Sequence, residues 1–225
     1  MHDVGIRQEI VDRVMARRGR LHWFDKLDQR STALVVVDMQ STFCEPGAPA
    51  EVAQSRGIVP NINRLADGLR PLGVPIVWVL HANTHHGPTS DWQLFFDNVV
   101  AADLRTRTME SLSPSRQQVW RDLRQAPDDI VVVKNRYSAL VPGSSTLERV
   151  LRNLGVDTLL IAGTKTNVCC ESTARDAMML DFKVVMVSDC CAALSDDEHR
   201  ATLETHIQQF GDVYASDEVL SLLRN

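Results

Sequence analysis

The chain has 225 residues, of which 44% are hydrophobic and 24% charged, with a formal net charge of −5. That length suits one α/β domain, and the mixture excludes a disordered chain. Interspersed acids and bases give no electrostatic pull toward nucleic acid or an anionic membrane, so neither is an expected partner.

Residues 6–20 pattern as a helical arm, with Arg7, Arg13, Arg17 and Arg18 on one side and Ile10, Val11 and Val14 on the other. Its apolar stripe either covers the chain's own sheet or reaches a neighbour. The arm is charged and lacks the apolar core of an export signal. No later run approaches the roughly 18–20 apolar residues of a membrane span. The expected compartment is therefore the cytoplasm, and the expected division is an arm over 1–30 followed by one domain over 31–225.

Beyond the arm, short β-branched runs alternate with amphipathic segments. Strands are expected at 33–38, 74–80, 130–134, 158–163, 183–188 and 212–215, and helices near 59–72, 113–125, 145–154, 170–180 and 196–209. Pro60 stands near a helix start, Gly73 precedes a strand, Gly155 ends a helix, and Ser195 before Asp196-Asp197-Glu198 reads as an N-cap. Continuous apolar strands separated by helices imply an α/β fold: a three-layer doubly wound domain with a mostly parallel sheet of about six strands. The segment 81–112 is the least regular. It carries His81, His85 and His86 together with Trp92, Phe95 and Phe96, and reads as an excursion that covers a site or carries an interface.

In such sheets ligands bind at the carboxyl ends of the strands. Asp38 ends the first strand, Lys134 ends the third, and Cys169 follows the fourth at the start of a helix. Attack on an amide carbonyl needs a nucleophile, a proton carrier and a stabiliser for the oxyanion. Cys169 at a helix start supplies the first, with the helix dipole favouring a negative sulfur. Asp38 accepts the thiol proton, and Lys134 holds Asp38 ionised and lowers the thiol pKa. Each residue also has an ordinary explanation: a small buried hydrophobe, a turn residue, a lysine reaching for solvent. Five cysteines in an odd count, with Cys169–Cys170 and Cys190–Cys191 adjacent, fit neither a disulfide framework nor a zinc knuckle. Reduced thiols are expected.

Three segments carry a resemblance: ALVVVDMQ at 33–40, KNRYS at 134–138 and GTKTNVCCESTARD at 163–176. Together they resemble the signatures of the isochorismatase-like cysteine hydrolases, in the same order, across about 31–215. The resemblance implies an Asp38–Lys134–Cys169 triad, a thioester acyl-enzyme resolved by water, and a cis peptide between Thr164 and Lys165. It also implies an oxyanion pocket from the backbone N–H groups of Lys165 and Cys169, and a homodimer or homotetramer. Cys170 is then an inward-packing neighbour, while Cys190 and Cys191 pack or line the pocket. True isochorismatases lack the nucleophilic cysteine. Nicotinamidases carry an Asp-x-His plus His metal site, and the corresponding stretch 45–51 has no histidine; no metal and no cofactor are expected. The 134–138 and 166–173 segments look most like the ureidoacrylate and N-carbamoyl amidohydrolases, which makes Gln40, Phe43, Tyr137 and Asn167 substrate-binding candidates. Arg136 or Arg175 would pair a substrate carboxylate, unless either makes an outward salt bridge. The expected function is cleavage of the C–N bond of a small linear amide or ureido compound. A nicotinamidase-like hydrolase and a noncatalytic scaffold of the same fold are the alternatives.

Overall fold

The β-branched runs pair into a sheet in a computed structural model that describes residues 2–224. The chain begins with α1 (Gln8–Arg18), β1 (Thr32–Val37), a single turn α2 (Ser41–Cys44), α3 (Ser55–Leu69) and β2 (Ile76–His81). The excursion follows as a small hairpin, β3 (His85–His86) and β4 (Thr89–Ser90), then α4 (Gln93–Asn98) and α5 (Arg105–Ser111). Next come β5 (Ile130–Lys134), α6 (Leu147–Asn153), β6 (Thr158–Thr164), a π turn over Thr166–Cys170 and α7 (Glu171–Met179). The chain closes with β7 (Lys183–Ala192), α8 (Asp196–Gln209), β8 (Asp212–Tyr214) and α9 (Ser216–Arg224).

The main sheet has six strands in the order β5-β2-β1-β6-β7-β8, and every pairing in it is parallel. The chain runs outward from β1 to β5, then returns to the other flank of β1 with β6. The direction reverses between β1 and β6, and a crevice opens outside the carboxyl ends of strands at such a point. The expected three-layer fold is the one observed. β1 is buried along its whole length, Leu34 and Val36 facing one core layer with Ile58, Ile62 and Leu65 of α3. Ala33, Val35 and Val37 face the other, with Leu147 and Leu151 of α6 and Ala174 and Ala177 of α7. Each buried aliphatic side chain is worth about 1.5–3 kcal/mol, so the register that decides where Asp38 emerges is not free to slip.

The arm lies on its own chain. Ile10 and Val14 are buried, the Arg7 guanidinium meets Glu204 of α8 at 2.6 Å, and the Asp212 carboxylate accepts from the backbone N–H groups of Trp23 and Phe24 at 2.8 Å.

The expected helix over 113–125 does not form. Apart from one short turn at Pro114–Arg116 the segment is irregular. The Trp120 amide donates to the Met39 carbonyl at 2.8 Å, and Val119 bridges Gln40. The apolar spacing that mimics a helix instead anchors Trp120 and Leu123, both buried, against the large core layer beside α3. The excursion folds back over the sheet edge, where Phe96 and Leu112 pack with Phe43 in a third, small apolar cluster.

Candidate active site

Asp38 leaves β1 in the left-handed region, at φ 54°, a conformation that aspartate tolerates better than most residues. Its amide donates to the Val79 carbonyl at 2.7 Å, which holds the turn against β2. Lys134 closes β5, two strands away, and is in register with His81 at the end of β2. Its long side chain crosses β2 to bring Nζ within 2.8 Å of Asp38 Oδ2, with both side chains fully buried. The Asp38 carboxyl is held by the Lys134 ammonium and also interacts with the Cys169 thiol, which places it where it can take the thiol proton.

Cys169 sits in the π turn that opens α7. The Lys165 carbonyl accepts from the amides of Val168 and Cys170, passing over that of Cys169. The Thr164–Lys165 peptide is cis. Cys169 is only 4% exposed, yet together with Lys165 it lines a cavity of about 310 Å³. Phe43 and Tyr137 are on the same wall, as are His81 and, from the excursion, Phe95, Leu104 and Leu112. Cys170 faces away, its thiol directed at the Ala162 carbonyl in the core.

The electrostatics differ from the expected thiol activation. Burial, reinforced by the charge of Asp38, pushes the Cys169 thiol up to about 12 against the pull of Lys134. Burial likewise raises the Asp38 carboxyl, and the Lys134 charge and the Cys169 thiol offset that only in part. Burial works against the Lys134 ammonium too, but attraction to Asp38 and to the Cys169 sulfur outweighs it, so its pKa rises. The resting thiol therefore keeps its proton. A carboxyl raised toward the thiol is a better acceptor for that proton, because the transfer is less uphill.

Two expected pocket residues lie elsewhere. The Gln40 side-chain oxygen accepts from the His81 amide at 2.7 Å. Its Nε2 donates to the His81 carbonyl at 3.0 Å and to Gln117 at 2.6 Å. Gln40 thus staples the ends of β1 and β2 and is absent from the cavity wall. Asn167 also lies off that wall; its side-chain oxygen is buried without a hydrogen-bond partner among the described residues. Neither arginine lines the cavity. Arg136 donates to the carbonyls of Asn135 and Asp91 and lies over the Trp92 ring. Arg175 pairs with Glu171 and lies over Phe210.

Residues 32–218 match the Isochorismatase domain. The chain belongs to the isochorismatase family. A probable inactive nicotinamidase of Arabidopsis thaliana is 32% identical to it, over 77% of this chain and 87% of that protein. A ureidoacrylate amidohydrolase of Pseudomonas savastanoi pv. phaseolicola is 30% identical, over 80% of this chain and 78% of its own length. Among solved structures, a cysteine hydrolase from Pseudomonas syringae pv. phaseolicola superposes with a TM-score of 0.76 at 31% identity, covering 88% of this chain and 95% of that one. The chain is thus an isochorismatase-family hydrolase, with ureidoacrylate amidohydrolases among its relatives. No helix among its described residues is long and apolar enough to cross a membrane.

His81 is expected from the sequence only as one of the excursion's three histidines, not beside Lys134. The apolar run at 74–80 ends at Leu80 in the sequence, whereas β2 continues to His81. Extending the strand by one residue puts the histidine at the same sheet edge as Lys134 and Asp38.

Proposed function

We propose that the protein hydrolyses the C–N bond of a small amide through a thioester on Cys169. The observation that carries this reading is the Cys169 thiol at the wall of a small cavity, interacting with a buried Asp38 that pairs with Lys134 at 2.8 Å. The thiol proton passes to Asp38 as Sγ attacks the amide carbon. The carbonyl oxygen becomes an oxyanion facing the backbone N–H groups of Lys165 and Cys169. Asp38 then gives the proton to the departing nitrogen, the C–N bond breaks, and an amine or ammonia leaves. Water enters, loses a proton to Asp38 and splits the thioester, releasing the acid and restoring the thiol. Lys134 stays charged throughout and compensates the negative charge on whichever of Asp38 and Cys169 carries it.

The walls favour an uncharged substrate with an apolar acyl group. Phe43, Phe95, Val100, Leu104 and Leu112 line the cavity that Cys169 opens on, and both arginines are engaged elsewhere. Lys165 supplies the single lysine or arginine on that wall among the described residues. A carboxylate buried without a partner costs several kcal/mol, which apolar walls do not return. Ammonia release from benzamide and isobutyramide, compared with ureidoacrylate and N-carbamoylsarcosine, tests this. The neutral amides should lead by roughly 10- to 100-fold in kcat/KM. A lead for the ureido acids that disappears in Lys165→Met would make Lys165 a carboxylate partner and reverse the substrate assignment.

A further inference from the structure

Three groups converge on the Lys134 ammonium. Asp38 Oδ2 faces it at 2.8 Å, the Arg136 carbonyl accepts from it at 3.0 Å, and Nδ1 of His81 lies 3.2 Å away. An ammonium has only donors, so Nδ1 of His81 must accept. The ring proton then resides on Nε2, which stands 3.0 Å from Asn83 Oδ1. The orientation of the Asn83 amide is settled independently, because its Nδ2 donates to the Asp91 carboxylate at 2.7 Å. Asn135 donates to the other oxygen of Asp91 at 3.2 Å. Every donor in this relay points the same way, from the lysine through histidine and asparagine to a carboxylate. Lys134 and Asn83 are fully buried and His81 is 2% exposed.

We propose that His81 is a positioning residue, a permanently neutral acceptor that holds the Lys134 ammonium against Asp38 and so keeps its charge beside the Cys169 sulfur. This rests on the assignment of Asp38, Lys134 and Cys169 as the reacting groups. Burial, then the charges of Lys134 and Arg136, keep His81 well below its ordinary pKa, although Asn83 favours the protonated form. The ring therefore stays an acceptor where an imidazolium would repel the lysine. The same contact makes Nδ1 unavailable as a metal ligand. The imidazole also lies against Trp92, with ring centres 5.9 Å apart.

The test uses His81→Phe, which keeps a ring against Trp92 and removes the acceptor, and His81→Gln, which restores an acceptor oxygen. The readout is the rate at which iodoacetamide alkylates Cys169, followed by peptide mass spectrometry at pH 9. It needs no turnover and no knowledge of the substrate. Lys134 pulls the thiol pKa down, so an ammonium released from its place leaves less thiolate. Alkylation should slow by about 3- to 10-fold in His81→Phe, a full pKa unit being tenfold, and recover in His81→Gln. Should His81→Phe fail to fold, nitrogen NMR of the wild-type imidazole decides: the proposal requires a neutral Nε2–H ring from pH 9 down to pH 6. Alkylation within twofold of wild type in a folded His81→Phe, or a ring protonated at Nδ1, overturns it. Amide hydrolysis that survives Cys169→Ala would instead defeat the assignment of Cys169 as the nucleophile and leave standing the alkylation result read on the proteins that keep Cys169.

Discussion

Replacing Cys169 by alanine is expected to lower kcat for the preferred amide by on the order of 10⁴-fold or more, as loss of a covalent nucleophile does elsewhere. The protein should stay folded, because the side chain is small and one of its sides faces the cavity. Serine at the same position should rescue little. A hydroxyl is a weaker acid than a thiol, and Asp38 is a base raised by burial but still a carboxylate. The adjacent Cys170 provides the control. Its thiol points at the Ala162 carbonyl inside the core, so Cys170→Ala should keep activity within about tenfold while costing roughly 1 kcal/mol of stability for the lost burial. Steady-state kinetics and urea unfolding on the same preparations separate the two effects. If the alanine series were inverted, with Cys170 essential and Cys169 dispensable, the nucleophile would be the wrong member of the pair.

Gly163→Ala should be the most damaging single methyl group in the sheet. Gly163 pairs with Val37 across the β1–β6 junction at φ 112°. A Cβ there would stand 2.0 Å from the Val37 carbonyl oxygen and 2.7 Å from the Val37 amide nitrogen. Both are backbone atoms of a central strand and have nowhere to retreat. A loss of roughly 3–5 kcal/mol, read from the urea midpoint, is expected from the clash and the unfavourable φ together. Gly155 gives the comparison. It has φ 71°, and a methyl added there would meet nothing within 4 Å, so Gly155→Ala should lose only about 1–2 kcal/mol. Any Gly163→Ala protein that folds should also lose activity, because β1 cannot separate from β6 without moving Asp38, the next residue after Val37. Equal stability losses in the two variants would mean that the close strand approach carries no weight.

The framework of the fold is legible in the sequence because its strands are short, apolar and punctuated. The runs ending near Asp38, Lys134 and Gly163 predict both the parallel sheet and the edge where chemistry would gather, and the strand order then sets β1 beside β6. What periodicity could not separate was a helix from an extended segment that buries two aromatic or aliphatic anchors, as Trp120 and Leu123 do. The Gln40 side chain illustrates a different limit. The resemblance to ureidoacrylate hydrolases makes it a pocket candidate, but its hydrogen bonds go to the backbone of His81, a partner 41 residues away. The thiol pKa failed for a third reason. A helix start and a nearby lysine both favour the thiolate, and the sequence does not reveal the burial that outweighs them. The excursion reads in the sequence as covering a site or carrying an interface; which of its side chains line the cavity depends on how α4 and α5 pack over Phe43.

The covalent step is the claim on which the rest depends, and acid quenching during turnover examines it directly. The wild-type protein is mixed with the amide it hydrolyses fastest, stopped within milliseconds to seconds, digested and analysed by mass spectrometry. The account predicts the acyl group on the peptide carrying Cys169, removable by hydroxylamine and missing from the Cys169→Ala protein. Steady turnover with the acyl group on another residue, or undiminished turnover in Cys169→Ala, would contradict it.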